Sequence, residues 1–349
     1  MTPVYPLLVA GVFRVFGVYT FPAWVGAAGA NIIFCVLACL PIFFAGKRLG
    51  GPGVGATAAW LWAVFPNAIL IPVESMWEAS LAALLGATIL WATLALGESR
   101  RTLDWCAYGL LWGFALMTEA AFASLLPLLL AWLAYRVRRD RVTRSWFGKP
   151  ALAGAIALLC CVPWTIRNYE VFHVLVPLRS ILGLQLYVGN NPQAKETWLG
   201  ENHPIHDQAE RGRYIQLGEI AYTQAKMHDA IQYMLTHPLR EAHLIAYRFI
   251  AFWAGGTPHP AADFLHDHSA QFRGVLLFNL LVAVGAFWGI IALCRARNVY
   301  AFPLAVFPIV YPCAYYLTLA LPRYSLPIDP IVMLLTAVAL NSLRPTRPC

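Results

Sequence analysis

The sequence predicts an all-α polytopic membrane protein, with about nine transmembrane helices and one mainly helical extracytoplasmic domain. Three observations predict it. Only 12% of the 349 residues are Asp, Glu, Lys or Arg, about half the ~25% usual for soluble domains. Charge-free runs cover 15–46, 49–73, 79–97, 150–166, 274–294 and 298–322, and most reach or approach the ~20 residues a helix needs to cross a bilayer. Lys and Arg crowd into every second connection between them. So few charges could not clothe a soluble core of this length. The same composition excludes disorder, collagen and coiled coil.

Taken in chain order, residues 2–17 carry Pro3, Pro6 and Arg14 without a basic leader or a small-residue cleavage site, and predict a short helix at the outer surface rather than a signal peptide. Crossings follow at about 22–46, 54–72, 78–97, 103–119, 121–136 and 151–166, and again at 273–294, 299–320 and 327–343. Those at 103–119, 121–136 and 327–343 rest on shorter charge-free runs and would span only with flanking protein or local thinning. Three regions result: 1–166, 167–273 and 274–349. Internal repeats and low-complexity tracts are absent.

Orientation follows from the basic connections: Lys47 and Arg48; Arg100 and Arg101; Arg136, Arg138, Arg139, Arg141, Arg144 and Lys149; Arg295 and Arg297; Arg344 and Arg347. Basic loops stay in the cytoplasm, so the C-terminus is cytoplasmic and 167–273 is extracytoplasmic. The net charge of +8 is then mainly an orientation signal, and nucleic acid is a poor partner for it. The segment 167–273 holds nine basic and ten acidic residues and all nine His, enough chain for a small domain. Within it, the pattern predicts helices over 208–235 and 239–253, the second stopped by Gly255 and Gly256, with an irregular stretch at 189–204. The eight Cys lie in crossings or at the terminus, which predicts small buried hydrophobes rather than disulfides.

Chemistry-bearing residues concentrate at the outer rim. Glu74 and Glu78 in "PVESMWEASLAAL" stand four residues apart, a spacing that would share one helical face, and acids at membrane depth are costly unless they face a cavity. Glu78, opening an apolar helix, is the stronger catalytic candidate; the plain alternative is that both meet water at a loop. Glu119, between two short apolar helices, points to the same side or forms a polar hinge tip. Arg167 in "PWTIRNYEVF" and Arg323 in "LPRYSLP" emerge on the outer face directly after crossings, where a guanidinium suits a phosphate or simply snorkels. Tyr324 and Trp164 beside them suit an interfacial belt. In "TPHPAADFLHDHS", His259, Asp263, His266, Asp267 and His268 match no zinc spacing, and a solvated loop is expected there instead of a metal site. P-loop, dinucleotide, nucleophile-elbow and redox Cys motifs are missing, so no cofactor is expected.

The stretches "TPVYPLLVAGVFRVFG", "ESMWEASLAAL", "PWTIRNYEVFHVLVPLRSILGLQLYVGNNPQA", "THPLREAHLIAYRFIAFWAGG" and "LPRYSLPIDPIVMLL" resemble bacterial GT-C fold glycosyltransferases of family 39, the group including dolichyl-phosphate-mannose-protein mannosyltransferase-like and RgtA/B/C/D-like proteins. The resemblance implies an inverting, metal-independent enzyme of the bacterial inner membrane. It would move a sugar from a polyprenyl-phosphate donor to a lipid, glycan or protein acceptor at the outer face. It implies a first-loop carboxylate as base, Arg323 and Tyr324 ("RY") as the leading phosphate contact, Arg167 and Asn168 ("RN") beside it, and Asn190 and Asn191 ("GNNP") lining the cavity. The family usually places its acid in a loop after a first helix, yet no Asp or Glu precedes Glu74. Either the chain is truncated or misstarted, which the missing targeting start favours and which would leave it inactive, or Glu74 or Glu78 has taken the role. A secondary transporter would instead show two similar halves and midplane acids; a non-catalytic membrane scaffold is the third reading.

Overall fold

The structure is a computed structural model that describes residues 2–139, 147–195, 202–255 and 270–343. Its described residues are helical, with turns and bends between, and hold no strand. The order is α1 (Val4–Phe16), α2 (Phe21–Gly50), α3 (Pro52–Ala63), α4 (Pro66–Glu74), α5 (Ala79–Leu96), α6 (Thr102–Leu116), α7 (Leu126–Arg139), α8 (Gly148–Phe172), α9 (Leu182–Gly189), α10 (Gln208–Thr236), α11 (Pro238–Ala254), α12 (Ala270–Arg295), α13 (Ala301–Val310), α14 (Cys313–Leu317) and α15 (Asp329–Ser342).

Five segments are long and apolar enough to cross a membrane: Phe21–Gly50, Ala79–Leu96, Ala120–Arg139, Gly148–Phe172 and Gly274–Arg295. A sixth is the pair α3 and α4, bent by 42°. Pro66 has no amide hydrogen and drives Phe65 into an extended conformation (φ −67°, ψ 121°), which breaks what the charge-free run 49–73 reads as one helix. The apolar helices Val4–Phe16, Ala301–Leu317 and Asp329–Ser342 are shorter.

The chain divides into two compact units. The larger comprises Thr2–Trp164, Leu280–Tyr311 and Ser325–Cys349. Its helices meet through small residues, the device that serves where lipid supplies no hydrophobic drive. A Cβ at Gly46 would stand 2.6 Å from the Cα of Gly55, one at Gly86 would stand 2.7 Å from the carbonyl oxygen of Pro327, and one at Gly109 2.6 Å from that of Ala153. On α2, Ala23, Ala27, Ala38 and Ala45 are fully buried, while Ile32, Ile33, Val36 and Leu40 face outward. Large side chains outside and small ones inside suit a helix bathed in hydrocarbon. Polar groups are tied down internally, as lipid requires: Trp62 donates to the Cys35 carbonyl at 2.7 Å, Tyr108 pairs with Thr93 at 2.6 Å, and Thr336 donates to the Val282 carbonyl at 2.9 Å.

The smaller unit comprises Thr165–Asn279 and Pro312–Tyr324. Asp207 caps α10, accepting from the amides of Ala209 (2.8 Å) and Glu210 (3.1 Å). The helix expected over 208–235 is present but bent, because Gly218 adopts φ 74°, ψ 164°, which a residue with a Cβ would resist. The bend lets the two limbs of α10 meet around a buried ion pair. Lys226 Nζ lies 2.8 Å from Glu210, the Tyr222 hydroxyl donates to the same carboxylate at 2.6 Å, and Lys226 also stands 3.8 Å from the centre of the Tyr187 ring. Leu184, Val188 and Tyr222 form the adjoining apolar core. As expected, α11 stops at Gly255, which is left-handed (φ 86°, ψ 23°).

Candidate functional site

In the larger unit, Glu74 and Glu78 do not share a helical face. Glu74 is the exposed last residue of α4, Ser75 is extended (φ −132°, ψ 122°), and Glu78 is the N-cap of α5, 7% exposed. The chain break therefore sorts the two acids: one meets water, and the other is sheltered at the positive end of an eighteen-residue helix. Around it, Tyr5 donates to Asn31 Oδ1 at 3.2 Å, and Asn31 Nδ2 donates to the Ser75 carbonyl at 3.1 Å, fixing the strap that carries Glu78. Burial, with a further contribution from the Glu78 carboxylate, pushes the Tyr5 phenol up to about 12, while the Asn31 hydrogen bond opposes it. Glu119 is also 7% exposed; its carboxylate accepts from the Ala121 amide at 3.1 Å, capping a short 3-10 turn. Next to it, Thr2 donates to the Thr118 carbonyl at 2.8 Å and Val4 to that of Met117 at 3.3 Å, anchoring α1 to the end of α6. Tyr5 and Asn31 are absent from the sequence-based candidates; only their position among apolar residues marks them.

In the smaller unit, Arg167 is exposed and donates to Asn168 Oδ1 at 3.1 Å, and buried Asn168 donates to the Val176 carbonyl at 2.9 Å. Arg323 lies in the 3-10 turn Pro322–Tyr324 with its guanidinium 5.3 Å from the Tyr324 ring centre, and Tyr324 stacks on Tyr315 at 4.7 Å. Both are half-buried, so the cation keeps a face toward solvent.

Asn190 and Asn191 are buried at 0% and 2% exposure and serve the backbone. Asn190 Nδ2 donates to the carbonyls of Leu186 (2.9 Å) and Leu317 (2.7 Å); Asn191 donates to that of Tyr187 at 2.8 Å and accepts from the Gln193 amide at 2.8 Å. Side chains so engaged shape a turn.

Sequence reasoning missed Arg248, 3% exposed in the middle of α11. Its Nη1 donates to Asn190 Oδ1 (3.0 Å) and to the carbonyls of Tyr316 (3.2 Å) and Leu317 (3.4 Å), and its Nη2 donates to the Gly189 carbonyl. Seven residues back on the same helix, Glu241 stands 3.8 Å away. Among the described residues no donor reaches either Glu241 oxygen. Burial draws Arg248 down to about 10 against the pull of Glu241, and burial likewise holds Glu241 above the usual carboxylate range against the pull of Arg248. The seven-residue spacing of a Glu and an Arg on one apolar helix was the available signal.

No group of three or more His, Cys, Asp or Glu among the described residues could hold a metal. His259, Asp263, His266, Asp267 and His268 lie outside the described residues.

Residues 1–166, the stretch that holds Glu74, Glu78 and Glu119, match the family described as dolichyl-phosphate-mannose-protein mannosyltransferase. Over 150 residues the chain is 32% identical to the undecaprenyl phosphate-alpha-4-amino-4-deoxy-L-arabinose arabinosyl transferase of Pseudomonas paraeruginosa, covering 40% of this chain and 26% of that one, and equally to its counterpart in Pseudomonas aeruginosa. The crystal structure of the Archaeoglobus fulgidus oligosaccharyltransferase with zinc and sulfate superposes on 98% of the chain with a TM-score of 0.55 at 15% identity. Over residues 1–166 the chain is therefore similar to that mannosyltransferase family, and its fold is similar to that of the archaeal enzyme.

The chain spans about a quarter of the length of the curated relatives it matches, and 40% of the archaeal chain. A second structure of the archaeal enzyme, AglB, holds an inhibitory peptide and a dolichol-phosphate, and it superposes with a TM-score of 0.53 at 14% identity over 98% of the chain and 42% of AglB. At that identity the likeness concerns the fold.

Proposed function

We propose that the protein transfers a sugar, with inversion, from a polyprenyl-phosphate carrier to a hydroxyl-bearing acceptor at the outer face of the bacterial inner membrane. About nine crossings place 167–273 outside and the C-terminus inside. The observation that carries this reading is the match of residues 1–166 to lipid-linked sugar transferases, the segment in which Glu78 alone of the Glu74 and Glu78 pair is sheltered at a helix N-terminus. In the reaction the Glu78 carboxylate takes the acceptor hydroxyl's proton as its oxygen bonds to the sugar's anomeric carbon. The bond from that carbon to the phosphate oxygen breaks, and polyprenyl phosphate leaves with its charge met by a cation. The candidates for that cation, taken within the smaller unit by itself, are Arg323, with Tyr324 beside it, and Arg167. The scheme uses fixed charges and requires no metal.

The test is transfer of radiolabelled sugar from undecaprenyl-phosphate donors by the protein in reconstituted vesicles. Glu78→Gln is expected to lose on the order of 10²- to 10⁴-fold in rate, the usual worth of a general base, with Glu74→Gln near wild type. No transfer by the wild type, or equal transfer by Glu78→Gln, would refute the reading; uptake of free solute without transfer would favour a transporter.

A further inference from the structure

Two helices of the smaller unit end side by side, and one guanidinium finishes both. Gly189 is the last residue of α9, and Tyr316 and Leu317 are the last two of α14. Carbonyls at helix C-termini have no partner within their own helix and carry the negative end of its dipole. Arg248 donates to all three, with Nη2 on Gly189 and Nη1 on Tyr316 and Leu317. Asn190 closes the ring by accepting from Arg248 and donating to Leu317 at 2.7 Å. The backbones touch as well, since a Cβ at Gly189 would overlap the carbonyl oxygen of Thr318.

From this clamp a chain of ring contacts leads to the proposed phosphate contact. Trp253 donates to the Tyr316 hydroxyl at 2.8 Å, and Phe252 stacks against Tyr315 with centroids 6.0 Å apart. Tyr315 stacks on Tyr324 at 4.7 Å, and the Arg323 guanidinium stands 5.3 Å from the Tyr324 ring. Each link from α11 to Arg323 is a direct contact in one compact unit.

We propose that Arg248 is a positioning residue for recognition of a lipid phosphate: by capping α9 and α14 together it sets the place of Tyr315, and through the Tyr315–Tyr324 stack the aim of Arg323. It does not touch the ligand. The proposal rests on the donor-phosphate role given to Arg323 above. A lysine at 248 would keep the charge but not the planar fork, so a single ammonium could not serve both helix ends.

The test measures equilibrium binding of decaprenyl phosphate to the whole chain in lipid nanodiscs, alongside the thermal midpoint of each variant. Arg323→Ala is expected to bind on the order of 10- to 100-fold more weakly, the worth of a charge-assisted hydrogen bond. Arg248→Lys is expected to bind roughly tenfold more weakly, again on the scale of one such bond. Tyr315→Leu, which interrupts the relay without disturbing a buried charge, is expected to weaken binding likewise and guards against misfolding of the Arg248 variant. In the Arg248→Lys/Arg323→Ala double variant the losses should not multiply, because both act through one guanidinium. Wild-type affinity in both Arg248→Lys and Tyr315→Leu, or multiplied losses in the double variant, would overturn the clamp. Absence of binding by the wild type, or undiminished binding by Arg323→Ala, would overturn the phosphate role beneath it.

Discussion

Replacing Lys226 by Met should unlatch α10 at its bend. Lys226 and Glu210 are 4% and 6% exposed, and removing one partner of so buried a pair typically costs about 3–5 kcal/mol, because the remaining charge stays out of water. Here part of that is offset: the Tyr222 hydroxyl still donates to Glu210 at 2.6 Å, and Arg213 stands 3.3 Å away, although its exposure limits it to about 0–1 kcal/mol. Loss of the Lys226 contact with the Tyr187 ring works the other way, by about 1–2 kcal/mol. A net cost of about 3 kcal/mol follows, which is on the order of 10²-fold faster amide exchange for 208–236 if those amides exchange by local opening. Adding Glu210→Gln to Lys226→Met removes the stranded charge and should restore most of the protection. Hydrogen-exchange mass spectrometry of the protein in detergent reads both. Unchanged exchange in Lys226→Met, or a double variant as labile as the two single losses combined, would refute the assignment of the pair as the latch.

Two further outcomes follow from the same unit. Gly189→Ala sets a methyl group against the backbone of Thr318 and should cost about 1–3 kcal/mol, read as faster exchange over 313–324; Gly212→Ala, with open space around it, should be neutral or stabilising by up to about 1 kcal/mol. Burial raises the Glu210 pKa, but the bonds from Lys226 and Tyr222 outweigh it and hold the carboxyl below its usual 4.5. A depressed carboxylate contributes stability above its unfolded-state pKa and loses it as pH falls through the folded value, so protection of α10 should be flat at neutral pH and collapse below about pH 4.5; in Glu210→Gln that acid transition should flatten.

Five of the nine expected crossings, at about 22–46, 78–97, 121–136, 151–166 and 273–294, coincide with segments long and apolar enough to span, and they were legible because hydrocarbon forbids charge, so that a gap between charged residues constrains the fold. Their interruptions follow a different rule. The run 49–73 is free of charge yet folds as two helices at 42°, since Pro66, not any charge, ends the hydrogen-bond ladder. Gly218 breaks α10 in the same manner: it stood in a stretch read as one helix, and only its positive φ distinguishes it from Gly212, which sits in α10 without strain. Both features are local, and the residues responsible were in view; what the composition could not weigh was whether tertiary partners rewarded the bend. For α10 they do, through a carboxylate and an ammonium sixteen residues apart.

The site was half legible for a related reason. Position at the outer rim nominates Glu74 and Glu78 alike, and only the extended Ser75 decides that one is exposed and the other sheltered. Arg323 and Arg248 present the opposite case, two guanidiniums in the smaller unit in different settings. Arg248 spends its donors on three carbonyls and an amide oxygen belonging to segments 58 to 69 residues away, contacts no local pattern announces. Arg323 stays half-buried over a tyrosine ring. A charge that satisfies backbone is not available to a ligand, and a charge meant for a ligand needs its neighbours held still by something else. On the proposal above Arg248 meets that need, which is why removing its fork should be felt at Arg323, two stacked tyrosines away.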